Sequence, residues 1–258
     1  MSFLWPFLFT VFAWWFSTGV ILYLDGLPRR TFKWTFAGAT AVCLLGLGGL
    51  AASASQTSVA SAYCAFSCAL LVWAWQEVAF LLGYVTGPRR IACDPTVTGW
   101  KRAVLAFQTV QHHELALLVL VIAVLAVTWG QPNQVGWWTF AVLWAMRQSA
   151  KLNVFLGVRN LGEKFLPTHL EYLHTYFMRK SMNPLLPVSV VAATLVVVPI
   201  WKTANATGVA FEVAGFALVG SLLSLAILEH LLLVLPLPSE ALWKWSLRSH
   251  RESSLPTP

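Results

Sequence analysis

Three consecutive ionisable residues interrupt one of the most apolar stretches of the chain. His112, His113 and Glu114 lie within residues 103–129, which are otherwise mostly Ala, Val, Leu and Ile. Imidazole and carboxylate groups can ligate a metal, hold the central ion of a tetrapyrrole or relay protons. Because such groups are costly in lipid, we expect them to be paired, to bind a ligand or to face a wet cavity.

Further ionisable residues interrupt other apolar stretches in the same way. Counting about 1.5 Å per residue from the span ends places all of them in one half of the membrane, with His113 close to the midplane. The predicted cofactor-binding residues are His112, His113, Glu114, Glu77, Glu229 and His230. Their predicted charge partners are Arg147 and Lys151, which are four residues apart and therefore share one helix face.

The chain as a whole is too apolar for a soluble domain. Hydrophobic residues make up 58% of its 258 residues and charged residues only 10%. Several runs reach the ~20 residues that cross a hydrocarbon core, which predicts an all-α polytopic membrane protein with about seven transmembrane helices. The predicted spans cover residues 3–24, 35–52, 59–83, 103–129, 136–158, 185–201 and 208–235. They form a single domain over residues 1–238, and residues 239–258 are predicted to be a cytoplasmic tail.

The basic residues predict the direction of the spans. Sixteen of the 17 Lys and Arg residues fall in alternate loops, in the C-terminal tail or near one end of the fifth span, and only Lys202 falls on the other side. Positive charge marks the cytoplasmic side, so the N-terminus is predicted to be periplasmic and the C-terminus cytoplasmic. The same basic residues are spread over several short loops and do not form one groove that could bind the phosphates of a nucleic acid. The predicted partner is therefore the lipid bilayer and not nucleic acid.

One cytoplasmic loop differs from the others. Apolar residues recur at helical spacing between residues 165 and 180, which predicts an amphipathic helix lying in the membrane interface. This helix would carry Glu171 and His174, an E-x-x-H pair, toward the same face of the bundle as the intramembrane residues.

Three interpretations of the polar set remain open from the residues alone. It can be a self-compensating network in which Arg147 and Lys151 pair with carboxylates. It can be an iron or other metal site of the carboxylate-bundle type, which would make the chain a membrane metalloenzyme acting on a pigment, quinone or lipid. The possible ligands are then His113, Glu114, Glu77, Glu229, His230, Glu171 and His174. It can also be a site for a haem-type or bacteriochlorophyll tetrapyrrole with an axial imidazole.

Other functions have less support in the residues. The spans show no internal repeat of the kind found in secondary transporters, so transport or proton relay is a weaker alternative. No motif for a nucleophilic Ser or Cys is present, so catalysis by such a nucleophile is not favoured.

Several sequence motifs resemble those of a known family. The motifs are Phe12-Ala-Trp-Trp-Phe-Ser-Thr-Gly19, Gly83-Tyr-Val-Thr-Gly-Pro-Arg-Arg90, His112-His-Glu-Leu-Ala116, Arg147-Gln-Ser-Ala-Lys-Leu-Asn-Val-Phe-Leu-Gly-Val158 and Leu228-Glu-His-Leu-Leu-Leu-Val-Leu-Pro-Leu-Pro238. They resemble the photosynthetic complex assembly protein 2 family (PuhE type) of purple phototrophic bacteria. One departure is Gln76, which stands where relatives often carry His and is a poorer metal ligand.

The resemblance implies a biological setting. The chain would be a multi-pass protein of the bacterial inner (intracytoplasmic) membrane. It would assist assembly of the reaction centre and light-harvesting complexes and affect bacteriochlorophyll supply. Its partners would be subunits of those complexes or pigment-synthesis proteins. The resemblance carries over no catalytic residues.

Overall fold

Seven long α-helices dominate the described part of the chain. The computed structural model describes residues 3–237 and 239–247. Within these ranges the helices are α1 (Leu4–Asp25), α2 (Phe32–Ala54), α3 (Val59–Leu81), α4 (Gly99–Thr128), α5 (Val135–Leu156), α6 (Leu185–Ala206) and α7 (Ala210–Leu232). Short 3₁₀ helices lie in the connections, at Arg29–Thr31, Glu163–Phe165 and Thr168–Tyr176, and another follows α7 at Ser239–Trp243. The same ranges contain no strand, which confirms the all-α class.

Six of these helices are long and apolar enough to cross a membrane. Helix α5 has 22 residues, as many as α6, but polar side chains such as Gln148 and Asn153 reduce its hydropathy. Large apolar side chains are exposed on the outside of the bundle, among them Leu45, Ile122 and Leu195. Such a surface suits hydrocarbon and not water. The chain is an all-α multi-pass membrane protein in which α5 is the seventh long helix.

Helices α3 and α7 form the centre of the bundle, with more than half of their most apolar segments buried. Small side chains on α3 explain its position. Ala62, Ala65 and Ala69 are essentially inaccessible and belong to the main apolar core. Small residues let neighbouring helix backbones approach closely, which favours a central place in a membrane bundle.

The helix ends alternate between the two ends of the bundle. Phe32 at the start of α2 packs against Val78 of α3, and Ile21 near the end of α1 joins the same cluster. We name this end, where α1, α3, α5 and α7 finish, the basic end. It carries Arg29, Arg30, Lys33, Arg89, Arg90, Lys101 and Arg102. At the opposite end the Asn133 side-chain amide donates to the carbonyls of Ser53 and Ser61, which ties two helix connections together.

Helix α4 extends beyond α3 at the basic end. It has 30 residues, about 45 Å at 1.5 Å per residue, which exceeds the ~30 Å of a hydrocarbon core. The loop after α3 turns back along it. The backbone N–H of Arg89 donates to the carbonyl of Gln108, and that of His113 donates to the carbonyl of Thr86. Gly87 permits this contact, because a Cβ there would lie 2.1 Å from the Gln108 carbonyl oxygen.

The predicted amphipathic helix over 165–180 is shorter and differently wound. The segment forms the 3₁₀ helices Glu163–Phe165 and Thr168–Tyr176, because Pro167 lies between them and cannot donate a backbone hydrogen bond. Leu170 and Leu173 are buried against Phe80 at the end of α3. The segment therefore packs onto the basic end of the bundle.

Part of the predicted tail also packs on the bundle. Residues 239–247 fold back along α1, where the indole N–H of Trp15 donates to the Leu242 carbonyl and that of Trp243 donates to the Trp15 carbonyl, both at 2.9 Å. Trp243 is buried. Gly19 leaves room for the ring of Trp245, which would lie 2.1 Å from a Cβ at that position. The remaining predicted tail, 248–258, lies outside the described residues.

Candidate functional site

Two ion pairs connect α5 to α3 and α4. Arg147 Nη2 lies 2.8 Å from Glu77 Oε2, and Lys151 Nζ lies 2.6 Å from Glu114 Oε1. Gln148 completes the second pair by donating from Nε2 to Glu114 Oε2 at 2.7 Å. Because Arg147 and Lys151 are one helical turn apart, a single face of α5 holds both carboxylates.

A third carboxylate lies beside the first pair. Trp14 on α1 donates its indole N–H to Glu229 Oε1 at 2.7 Å. Arg147 attracts the Glu229 carboxylate electrostatically and Glu77 repels it. Both cations of α5 already have partners of their own, so Glu229 is held mainly by a neutral donor. Glu229 is exposed and the Arg147 side chain is 42% exposed, so this part of the site is accessible from outside the bundle.

These side chains form one charged group at a single level of the bundle. We name it the polar layer and define it as Glu77, Glu114, Arg147, Gln148, Lys151 and Glu229. The structure thus brings together three of the predicted cofactor-binding residues and both predicted charge partners.

His113 lies beside the polar layer in a nearly closed environment. Its side chain is 1% exposed and packs against Phe80, and both cations of the layer act on it electrostatically. Its Nδ1 atom has no hydrogen-bond partner among the described residues. Gln76, one turn from Phe80 on α3, is fully buried and its amide likewise lacks a partner in the described part of the chain. Unpartnered buried polar atoms cost free energy, which makes them candidate contacts for a ligand.

His230 bonds to Ala226 and Ser149 and to no side chain of the polar layer among the described residues. Its Nδ1 lies 2.9 Å from the carbonyl of Ala226, so this nitrogen must donate. Its Nε2 lies 2.9 Å from the Ser149 hydroxyl and accepts from it when the ring is neutral. Both ring nitrogens are therefore satisfied, and His230 links α7 to α5.

The helix ends give the height of these residues within the bundle. His113, which is predicted to lie close to the membrane midplane, contacts Phe80, one residue before the end of α3. This contact arises because α4 begins at Gly99 and runs past the end of α3. The polar layer therefore lies close to the basic end of the bundle.

The remaining predicted residues lie elsewhere. His112 is exposed on the outer face of α4. Glu171 is exposed on the 3₁₀ helix Thr168–Tyr176, and His174 on the same helix contacts the ring of Phe177. Among the described residues no three His, Cys, Asp or Glu side chains are arranged to hold one metal ion. The iron alternative therefore gains no support from this arrangement.

Three contributors to the site were not singled out from the sequence. Trp14 stands only within the Phe12–Gly19 motif, and Gln148 and Ser149 are uncharged neighbours of Arg147. For Gln148 a usable signal existed, since it lies three residues before Lys151 on the same helix. For Trp14 none existed, because its contact with Glu229 joins residues 215 positions apart.

Comparison with known proteins assigns the chain to a family. Residues 1–254 match the family described as "Protein of unknown function (DUF3623)". The chain belongs to this family. A relative from Rhodobacter capsulatus, described as "Uncharacterized 30.4 kDa protein in puhA 5'region", is 39% identical over 254 residues, covering 93% of this chain and 89% of the relative. No solved structure shows significant similarity to the chain.

The family match and the motif resemblance agree at a coarse level. The family itself is described without a function. The relative is described by its place in the puhA region, which is consistent with the photosynthetic setting that the motifs imply.

Proposed function

We propose that the chain is an integral membrane assembly factor for the bacterial photosynthetic apparatus. It acts on the formation of reaction-centre or light-harvesting complexes and affects bacteriochlorophyll supply. The observation that carries this proposal is the relative in the puhA 5' region, which matches nearly the whole chain. In this proposal the protein resides in the inner or intracytoplasmic membrane, with the basic end in the cytoplasm, as the distribution of Lys and Arg favours.

The polar layer is the working site in this proposal. Its open side offers the Glu229 carboxylate and the Arg147 guanidinium to a partner outside the bundle. Beside it, His113 and Gln76 supply buried polar atoms without partners among the described residues. A pigment or a pigment–protein intermediate presents polar groups on a large apolar body, which suits a polar site at the edge of an apolar helix bundle.

The test is complementation of a deletion strain. The wild-type gene and single variants are returned to the strain, and membrane absorption spectra report the yield of pigment–protein complexes. Glu229→Gln keeps the shape of the side chain and removes the charge, so we expect about a twofold or greater loss of complex absorbance. Glu212→Gln is the matched control, because Glu212 lies at the other end of the same helix.

His113→Ala and His112→Ala form a second matched pair. We expect a loss of complexes only for His113→Ala, since His112 points away from the site. Immunoblots of the membranes must show normal amounts of every variant. A deletion strain with a wild-type spectrum would refute the assembly function, whereas wild-type spectra from both Glu229→Gln and His113→Ala would refute the polar layer as its site.

A further inference from the structure

A second site with a different chemistry lies at the basic end, outside the polar layer. A cavity of about 230 Å³ opens between the α1–α2 connection, the loop after α3 and the 3₁₀ helix Thr168–Tyr176. Its walls include Arg29, Phe32, Thr86, Arg90, His169 and Tyr172.

The charge in this cavity is one-sided. Arg29 and Arg90 both line it, and neither forms an ion pair with a carboxylate of the described residues. Arg90 donates to the carbonyl of Gly83 at 3.2 Å, which holds it beside the opening. Two guanidinium groups that share a cavity without an anion repel each other, so an anionic ligand would stabilise the arrangement.

The charges of Arg29 and Arg90 both act on the imidazole of His169. Its Nε2 lies 2.9 Å from the Leu81 carbonyl and donates to it, so Nδ1 is the remaining acceptor. Burial lowers the pKa of His169, and the charges of Arg29 and Arg90 lower that pKa further, against the opposing effect of the hydrogen bond to Leu81. The two arginines therefore act on the same small volume.

The hydroxyl groups of Thr86 and Tyr172 also line the cavity. Thr86 is 1% exposed, and its hydroxyl interacts with that of Tyr172 in the wall of the cavity. Phe32 and Leu82 supply an apolar side. Guanidinium and hydroxyl groups around one space recognise several oxygens of a single anion, and the apolar side suits a carbon chain attached to it.

We propose that this cavity binds a phosphate group between Arg29 and Arg90. The phosphate is carried either by an anionic lipid headgroup or by a small free phosphate. A basic cavity at the end of a transmembrane bundle is suited to lipid headgroups. The proposal does not depend on the photosynthetic role, because it rests on the cavity alone.

The experiment uses the full-length protein in detergent. Inorganic phosphate is titrated by calorimetry, and a short-chain phosphatidylglycerol is titrated in parallel by native mass spectrometry, with phosphatidylcholine as the comparison lipid. Saturable binding of phosphate identifies a free-phosphate site. Saturable binding of phosphatidylglycerol alone identifies a headgroup site. Either result supports the proposal, and the absence of saturable binding by both probes refutes it.

Substitutions of single arginines distinguish binding in the cavity from a general attraction of anions to the basic end. Arg29→Gln and Arg90→Gln are each expected to weaken binding of the active probe about tenfold, the loss typical of one charge-assisted hydrogen bond. Arg30→Gln removes the same charge from the adjacent position, which does not line the cavity, and is expected to leave affinity within about twofold. An equal loss in Arg30→Gln would refute the proposal.

Folding of the variants is checked by size-exclusion chromatography. Arg90 also holds the turn at Gly83, so Arg29→Gln carries the result if the Arg90→Gln protein is misfolded. Tyr172→Phe removes a hydroxyl from the cavity wall without changing the charge, and we expect it to weaken binding less than Arg29→Gln does.

Discussion

The imidazole of His113 on α4 packs against the phenyl ring of Phe80 on α3, with the ring centroids 4.7 Å apart. This contact sets the relative height of the two helices. Phe80 belongs to the last turn of α3, whereas His113 is the fifteenth residue of α4, so roughly 20 Å of α4 extends past its neighbour. The polar layer thus lies where the bundle meets the loops of the basic end.

The Glu114–Lys151 pair is predicted to be structurally sensitive. Lys151→Met leaves the Glu114 carboxylate with Gln148 as its only described hydrogen-bond partner, so we expect a loss of about 2–4 kcal/mol in unfolding free energy. The double variant Glu114→Gln/Lys151→Met removes both charges and is expected to recover part of that loss. Denaturant unfolding in mixed micelles measures both effects.

An exposed ion pair provides the control for this prediction. Arg179 and Glu163 are also 2.6 Å apart, but their side chains are 64% and 47% exposed. Arg179→Met is therefore expected to change the unfolding free energy by less than about 1 kcal/mol. Equal losses for Lys151→Met and Arg179→Met would contradict the view that burial makes the first pair important.

Two glycines are predicted to respond in opposite ways to the same substitution. Gly87→Ala forces a methyl group against the Gln108 carbonyl oxygen of α4, and we expect a loss of about 1–3 kcal/mol. Gly38 lies within α2 with nothing within 4 Å of its would-be Cβ, so Gly38→Ala should be neutral or stabilising by up to about 1 kcal/mol. Melting temperatures in one detergent measure both, and a stable Gly87→Ala protein would rule out the close contact.

The stability of the protein should fall on acidification partly through His169. Its pKa is lowered by burial and then by the charges of Arg29 and Arg90, with the Leu81 carbonyl acting in the opposite direction. As pH falls below the ordinary value of about 6.5, the unfolded chain takes up a proton that the folded chain resists, so the folded state loses stability. Above that value the folded state suffers no such loss.

His169→Gln tests the acid response. We expect a shallower dependence of melting temperature on pH between pH 7.5 and 5.5 than in the wild type. His112→Gln serves as the comparison, because His112 is exposed. A slope unchanged by His169→Gln would show that other groups account for the acid response.

Much of the helix pattern could be predicted from the sequence. The predicted span 3–24 corresponds to Leu4–Asp25, and the predicted span 136–158 corresponds to Val135–Leu156. Apolar runs and the prolines between them are local signals, and local signals determine where a membrane helix starts and stops. The sixth helix was underestimated because Lys202 and Asn205 look like a loop but continue its last turns to Ala206.

The site was only partly predictable, for a physical reason. The free-energy cost of placing an ionisable group in lipid identifies which residues need partners, and it predicts Glu77, Glu114 and Arg147 as members of the site. It does not identify the partner, because the pairing of Arg147 with Glu77 depends on the relative height and rotation of two helices. The same limit applies to Glu229, whose hydrogen-bond donor is an indole on the first helix.

The return of residues 239–247 to α1 has a consequence for biosynthesis. Helix α1 is synthesised before α7 and residues 239–247, yet Glu229, Trp243 and Trp245 complete its packing. Until these later residues are made, Trp14 and Gly19 lack the contacts that they have in the folded bundle. The packing of α1 is therefore completed only after the helices between α1 and α7 have been synthesised.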